Sequence, residues 1–193
     1  MGVYLDKVKA VVSICGSVIA TGNDLTYRGR ELWKGFKFQG ELLSCDLSKR
    51  TTLIESVMRD VLRHDHTHLI PVEKASEDTH FLMVAGDQDT TCSNYGVEAV
   101  SQRLEICGRA DKVHTIVYPG AGHIIEPPYN TLCEHSHYAI GTIVYWGGEA
   151  QGLCRAEEDL WHQIRSCLAH HVRDRSQWYQ DLLQKSRTKT DVA

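Results

Sequence analysis

FLMVAGDQD, residues 81–89, decides the fold. Its first six residues run from one apolar side chain to the next and close on a glycine, and two aspartates come at once after it. A short continuous apolar run of this kind suits a strand covered on both faces, as in a parallel sheet. VHTIVYPG, residues 113–120, reads as a second such strand. Between them, residues 94–107 set Val97, Val100 and Leu104 on one helical face and stop before Gly108, a residue suited to end a helix. The result is a strand, helix, strand unit.

Working outward, VKAVVSIC at residues 8–15 is another valine-rich run and is read as a third buried strand. Residues 17–47 carry glycines at 22, 29, 35 and 40 without a sustained period, so they read as a long excursion holding a short hairpin. Thr52 and Glu55 have capping-box spacing, which predicts a helix over 51–63. Ala156, Leu160, Trp161, Ile164, Leu168 and Val172 predict an apolar stripe along a helix over 155–172. Strands alternating with helices give an α/β class with a parallel sheet, flanking helices and right-handed crossovers. Such sheets place their sites at the carboxyl ends of the strands.

The 193 residues suit a single domain with a real core. With 42% hydrophobic residues, 24% charged and a net charge of -4, the composition lacks the basic excess that nucleic-acid phosphates attract. No apolar run approaches the ~20 residues of a membrane span. No targeting signal is visible, and the expected compartment is the cytoplasm. Seven singly scattered cysteines argue against a disulfide framework or a zinc ribbon. Residues 1–175 are read as the folded unit and 176–193 as a polar tail.

Asp87 and Asp89 lie just past one strand, and His123 lies in YPGAGHIIEPPY, residues 118–129, just past the next. If the two strands are parallel neighbours, both loops leave the same sheet edge and a carboxylate reaches the imidazole. An acid and then a histidine, each after a strand, is the second half of the α/β-hydrolase order of nucleophile, acid, histidine. There the acid holds the imidazole tautomer while the histidine moves the proton. Gly122 is expected to turn the backbone with positive φ, and Pro127 and Pro128 to stiffen the end of the loop.

The residues now resemble a known family. VKAVVSICGS (8–17), LTYRG (25–29), IPVEKA (70–75), FLMVAGDQD (81–89), YPGAGHIIEPPY with Cys133, WGGEA (146–150) and AEEDLWHQI (156–164) stand in order. Together they resemble the C-terminal part of the acyl-CoA thioesterase and bile acid-CoA:amino acid N-acyltransferase family. The resemblance covers about residues 8–172. It implies a partial α/β-hydrolase fold and an acyl-CoA substrate, fatty-acyl or bile-acyl, whose thioester is hydrolysed or transferred. His123 stands where the family has its catalytic histidine, and Asp89 matches the acid better than Asp87 does. No metal or redox cofactor is implied. Members of the family work in the cytoplasm, peroxisome or mitochondrion.

The family's serine or cysteine nucleophile sits on a Gly-x-Ser/Cys-x-Gly elbow upstream of the acid, and no such elbow stands in these 193 residues. Cys15-Gly16-Ser17 ends a strand but matches a family segment beyond the nucleophile; Gly152–Ala156 around Cys154 comes after His123, the wrong chain order. The expectation is a triad missing its first member, nearly inactive alone, with strand 8–15 left as an apolar edge open to a partner strand. A non-catalytic binding module is the alternative. A different small α/β-hydrolase of the dienelactone-hydrolase kind would explain Asp89 and His123 but not IIEPPY.

Other features have plainer readings. His64, His66 and His68 would line one side of a strand, but zinc wants a fourth ligand and the stretch reads as a solvated loop. Glu126 either orients His123 or steadies its own turn. Trp146, Gly147 and Gly148 either wall an acyl pocket or pack a turn against the last helix.

Overall fold

The computed structural model describes residues 2–5, 7–19, 23–36, 45–46, 51–52, 68–92, 94–138 and 142–172. Its centre is a three-stranded parallel sheet of β1 (Ala10–Ile14), β6 (His80–Gly86) and β7 (Val113–Tyr118), in the order β1-β6-β7. β6 pairs on both sides, with Val84 opposite Ile14 in β1 and opposite Ile116 in β7. Its central place explains the apolar run, because successive side chains point to opposite faces and here both faces are covered.

On one face, Phe81, Met83 and Ala85 pack with Val97, Val100 and Leu104 of the helix α1 (Tyr95–Ile106). On the other, Leu82 and Val84 pack with Leu153, Ala156 and Leu160 of α2 (Ala150–His171). Each such large side chain, taken fully out of water, contributes about 1.5–3 kcal/mol. α1 ends where Gly108 takes φ +72, in keeping with its place in the sequence.

α2 starts five residues earlier than 155, the expected start. Gly152 reads as a helix breaker, yet it lies in the first turn, where the backbone of Gly120 approaches too closely for any Cβ. The buried stripe also differs. It runs through Leu153, Ala156 and Leu160 and is continued by the half-buried Ile164 and Cys167, while Trp161, Leu168 and Val172 are exposed.

Outside the sheet, β2 (Leu25–Tyr27) and β3 (Arg30–Trp33) form the hairpin expected in the long excursion. Its two turn residues, Arg28 and Gly29, have φ +51 and +76, the signs a tight two-residue hairpin turn demands. β4 (Cys45–Asp46) pairs with β5 (Thr51–Thr52), so Thr52 is strand rather than helix cap; the remainder of the helix expected over 51–63 lies outside the described residues. One hairpin was not foreseen, β8 (His135–Tyr138) with β9 (Thr142–Tyr145). HSHY carries no apolar alternation that would announce a strand. No described helix is long and apolar enough to cross a membrane.

Candidate active site

β6 and β7 are parallel neighbours, so the loops beyond their carboxyl ends leave the same sheet edge. Backbone bonds lace the two together: Asp87 N–H donates to Tyr118 O at 3.1 Å, and Gln88 N–H to Ala121 O at 2.9 Å. The two aspartates are then sorted by the turn. Asp87 accepts from the Gly120 N–H at 2.7 Å and steadies the loop. Asp89 points inward, 5% exposed.

Every oxygen of Asp89 is engaged. Oδ1 accepts from Thr91 N–H at 2.7 Å, the Thr91 hydroxyl at 2.7 Å and Cys92 N–H at 3.0 Å. Oδ2 faces His123 Nδ1 at 3.0 Å. Burial pushes this carboxyl up, but the bonds from His123 and Thr91 outweigh burial and hold it below its ordinary value. An ionised carboxylate only accepts, so Nδ1 carries the proton and Nε2 is left as the basic nitrogen of the neutral ring.

His123 is positioned from several sides. Its N–H donates to Trp146 O at 2.9 Å, and its ring stacks on the Trp146 indole at 5.4 Å between centroids, 20° between planes. The unforeseen β8–β9 hairpin delivers that tryptophan, whose Nε1–H donates to Ser136 Oγ at 2.8 Å and whose own N–H donates to Glu134 O at 2.7 Å. Gly122 is not a positive-φ residue, contrary to the expectation; Gly120 takes that role at φ +73. What Gly122 supplies is the missing side chain, since a Cβ there would lie inside the carbonyl of Gly147. Gly147, at φ +80, is in turn packed on the carbonyl of Gln88. Thus the WGG turn packs against both site loops rather than only against the last helix.

Trp146 also walls an open groove of about 390 Å³ beside the histidine, together with Ile124, Glu126, Cys133 and Ser136. Glu126 lies near the buried Glu157 of α2. Burial raises the Glu157 carboxyl, and the nearby Glu126 backbone offsets only part of that rise. The Tyr118 hydroxyl donates to Asp159 at 2.7 Å, tying the end of β7 to α2. Of the His64, His66 and His68 trio, only His68 is described; its Nδ1 pairs with Lys34 O at 3.1 Å.

Cys15, which the family resemblance sets beyond the nucleophile, is a neighbour of the site. It directly follows β1 with φ +46, is 4% exposed, and its thiol donates to Gly122 O at 3.6 Å. Burial and then the charge of Asp89 push this thiol up, the reverse of what a thiolate nucleophile needs. The available signal was topological: β1 borders β6 in parallel, so its carboxyl end meets the same edge. Cys154, by contrast, is exposed on α2.

Comparison with known proteins decides the family. The family model BAAT / Acyl-CoA thioester hydrolase C terminal matches residues 1–174. The chain belongs to this family. Human acyl-coenzyme A thioesterase 1 is 31% identical over 173 residues, covering 89% of this chain and 40% of that protein. Human mitochondrial acyl-coenzyme A thioesterase 2 is 31% identical, covering 89% and 35%. Mouse peroxisomal succinyl-coenzyme A thioesterase is 31% identical over 182 residues, covering 89% and 40%. As a BAAT / Acyl-CoA thioester hydrolase C-terminal chain, it spans about two fifths of the length of these relatives. Its parallel sheet with a helix on each face is the partial α/β-hydrolase arrangement the motifs implied.

Proposed function

We propose that this chain carries the acid and the base of an acyl-CoA thioester hydrolase, Asp89 and His123, in a triad whose serine or cysteine is supplied from outside these 193 residues. The observation that carries the reading is the 3.0 Å pairing of a buried, hydrogen-bonded carboxylate with His123 Nδ1, beside a groove at the carboxyl edge of a parallel sheet. The thioesterase names of the relatives support it.

In this mechanism His123 Nε2 takes the proton of the nucleophile as it attacks the thioester carbonyl. The C–S bond breaks, and the departing CoA thiolate receives that proton. Water then enters, His123 deprotonates it, and its attack on the acyl-enzyme releases the acid and regenerates the nucleophile. Asp89 keeps the proton on Nδ1 and stabilises the imidazolium formed between the steps. Transfer to an amino acid differs only in the second acceptor. Trp146 and Ile124 give the otherwise largely polar groove an apolar wall for the acyl chain. The proposed seat is the cytoplasm.

The test is CoA release from palmitoyl-CoA, by this chain and by a polypeptide that also includes the coding sequence preceding Met1. The longer form is expected to release CoA through a Gly-x-Ser/Cys-x-Gly elbow and to lose the activity with His123→Ala. Equal rates for the longer form and its His123→Ala variant would remove His123 from catalysis.

A second reading rests on β1, which pairs along one side only among the described residues. An unpaired apolar edge accepts a partner strand, so the chain acts there as a binding module without catalysis. Pull-down that depends on a proline placed within β1, with no CoA release by the longer form, would favour it.

A further inference from the structure

We infer that Cys15, Asp89 and His123 together form a binding site for a dication of the zinc class, and that occupation of this site excludes the acid–base pairing of Asp89 with His123. The site rests on geometry and is independent of the thioesterase reading. A thiol, a carboxylate and an imidazole converge from the carboxyl ends of three strands, each offering a ligand atom, and these atoms lie within 4.8 Å of one another.

Zinc takes S, N and O donors at about 2.3, 2.0 and 2.0 Å with water in the fourth place, so tetrahedral angles set the donors about 3.3–3.6 Å apart. Asp89 Oδ2 and His123 Nδ1 are 3.0 Å apart. They need to part by about 0.3 Å, and the Cys15 thiol, which lies within 4.8 Å of them, must close to about 3.6 Å, to admit the ion. The carboxylate is already fixed for the task. Its Oδ1 is held by Thr91 and Cys92, which leaves Oδ2 directed at the cluster as an outer shell would direct it.

Charge favours the ion as well. Cys15 is 4% exposed and Asp89 5%, and buried charges persist where they are paired or bind metals. A thiolate and a carboxylate neutralise a dication completely. Cys15 also holds φ +46, a conformation costly for any residue but glycine and asparagine.

Protons must balance too. In the metal-free dyad Nδ1 carries the imidazole proton. On binding, Nδ1 gives its lone pair to the ion and the proton moves to Nε2, so the ring stays neutral. The Cys15 thiol loses its proton to solvent. One proton is therefore released per ion, and affinity rises with pH. With Nε2 protonated, His123 no longer accepts a proton there, so the bound ion switches the base off.

The experiment titrates the metal-free chain with Co²⁺ and then Zn²⁺, monitoring the thiolate-to-cobalt charge-transfer absorbance and the intensity of the visible bands. The expected result is one ion per chain bound with release of one proton, a charge-transfer band with tetrahedral intensity, and displacement of Co²⁺ by Zn²⁺ without further proton release. Cys15→Ser should abolish the band, and His123→Gln should weaken Zn²⁺ binding by about 100-fold or more, since even outer-shell changes cost about 10–100-fold. His123 is partly exposed, so its substitution serves if Cys15→Ser fails to fold. Replacing the exposed Cys107 and Cys154 should leave the band intact. A band that survives Cys15→Ser, a band lost with Cys107 and Cys154, or no band at saturating Co²⁺ would each overturn the site.

Discussion

Asp89→Asn probes the heart of the site while keeping its shape. The asparagine carbonyl can keep the bonds from Thr91 and Cys92 that now reach Oδ1 at 2.7, 2.7 and 3.0 Å. Its NH₂ then occupies the place of Oδ2 and donates to His123 Nδ1, so the imidazole proton must shift to Nε2. Bonds to a charged group contribute about 1.5–3 kcal/mol and neutral ones about 0.5–1.5. Four weakened bonds, set against relief from burying a charge, leave a net loss of about 1–2 kcal/mol. The folded carboxyl lies below its ordinary 3.8, so its contribution is complete above that value and lost as pH falls through the lower, folded one. Urea unfolding should therefore separate the two proteins at pH 7 and bring them together in strong acid. Long-range ¹⁵N correlation of the imidazole should show Nδ1–H in the parent and Nε2–H in the variant. In a form that holds the nucleophile, CoA release should fall about 10⁴-fold. A parent imidazole already protonated at Nε2, or a variant that keeps Nδ1–H, would refute the pairing as drawn.

Gly147→Ala joins φ +80 to a Cβ set against the Gln88 carbonyl; it should cost about 3 kcal/mol by urea midpoint. Gly122→Ala should cost about 1–3 kcal/mol and, by moving His123 about 1 Å, lower CoA release about 100-fold in a form that holds the nucleophile. Tyr118→Phe removes the 2.7 Å bond to Asp159 and should lower stability by about 1 kcal/mol with an unchanged urea slope. Arg109→Ala frees the carbonyls of Ala75 and Ser76, bonded at 3.1 and 2.7 Å, and should cost about 2 kcal/mol in the same assay.

The central sheet was legible because β6 is buried on both faces, and burial on both faces writes a continuous apolar run into sequence. Asp89 and His123 were legible from their places after consecutive parallel strands. Spacing alone left Asp87 and Asp89 open, and the family resemblance favoured Asp89; the turn that sends Asp87 outward to Gly120 and Asp89 inward to His123 has no sequence signature. The hairpin of β8 and β9 was hidden because four-residue strands without apolar alternation look like loop. The family resemblance argued against Cys15 as nucleophile, whereas its place beside the site is decided by pairing between strands far apart in sequence.

The length of YPGAGHIIEPPY has a physical cause in these same non-local contacts. A histidine on a free loop would wander by far more than the fraction of an ångström that proton transfer tolerates. Here the loop is held on three sides: by the Gln88 N–H at Ala121, by the Trp146 carbonyl at His123, and by the Glu149 N–H at Gly120. Each hold imposes its own demand on residue type. The first two require backbones to meet without side chains between them, which is why glycine recurs in both the GAGH and WGG segments. The third requires the start of α2 to come up against Gly120, and it can do so because Gly152 lets the first turn close on Gly120. The motif before His123 and the motif that opens α2 are thus two halves of one packing constraint. A substitution in either half should therefore move the imidazole, however far it lies from the reacting atoms in sequence.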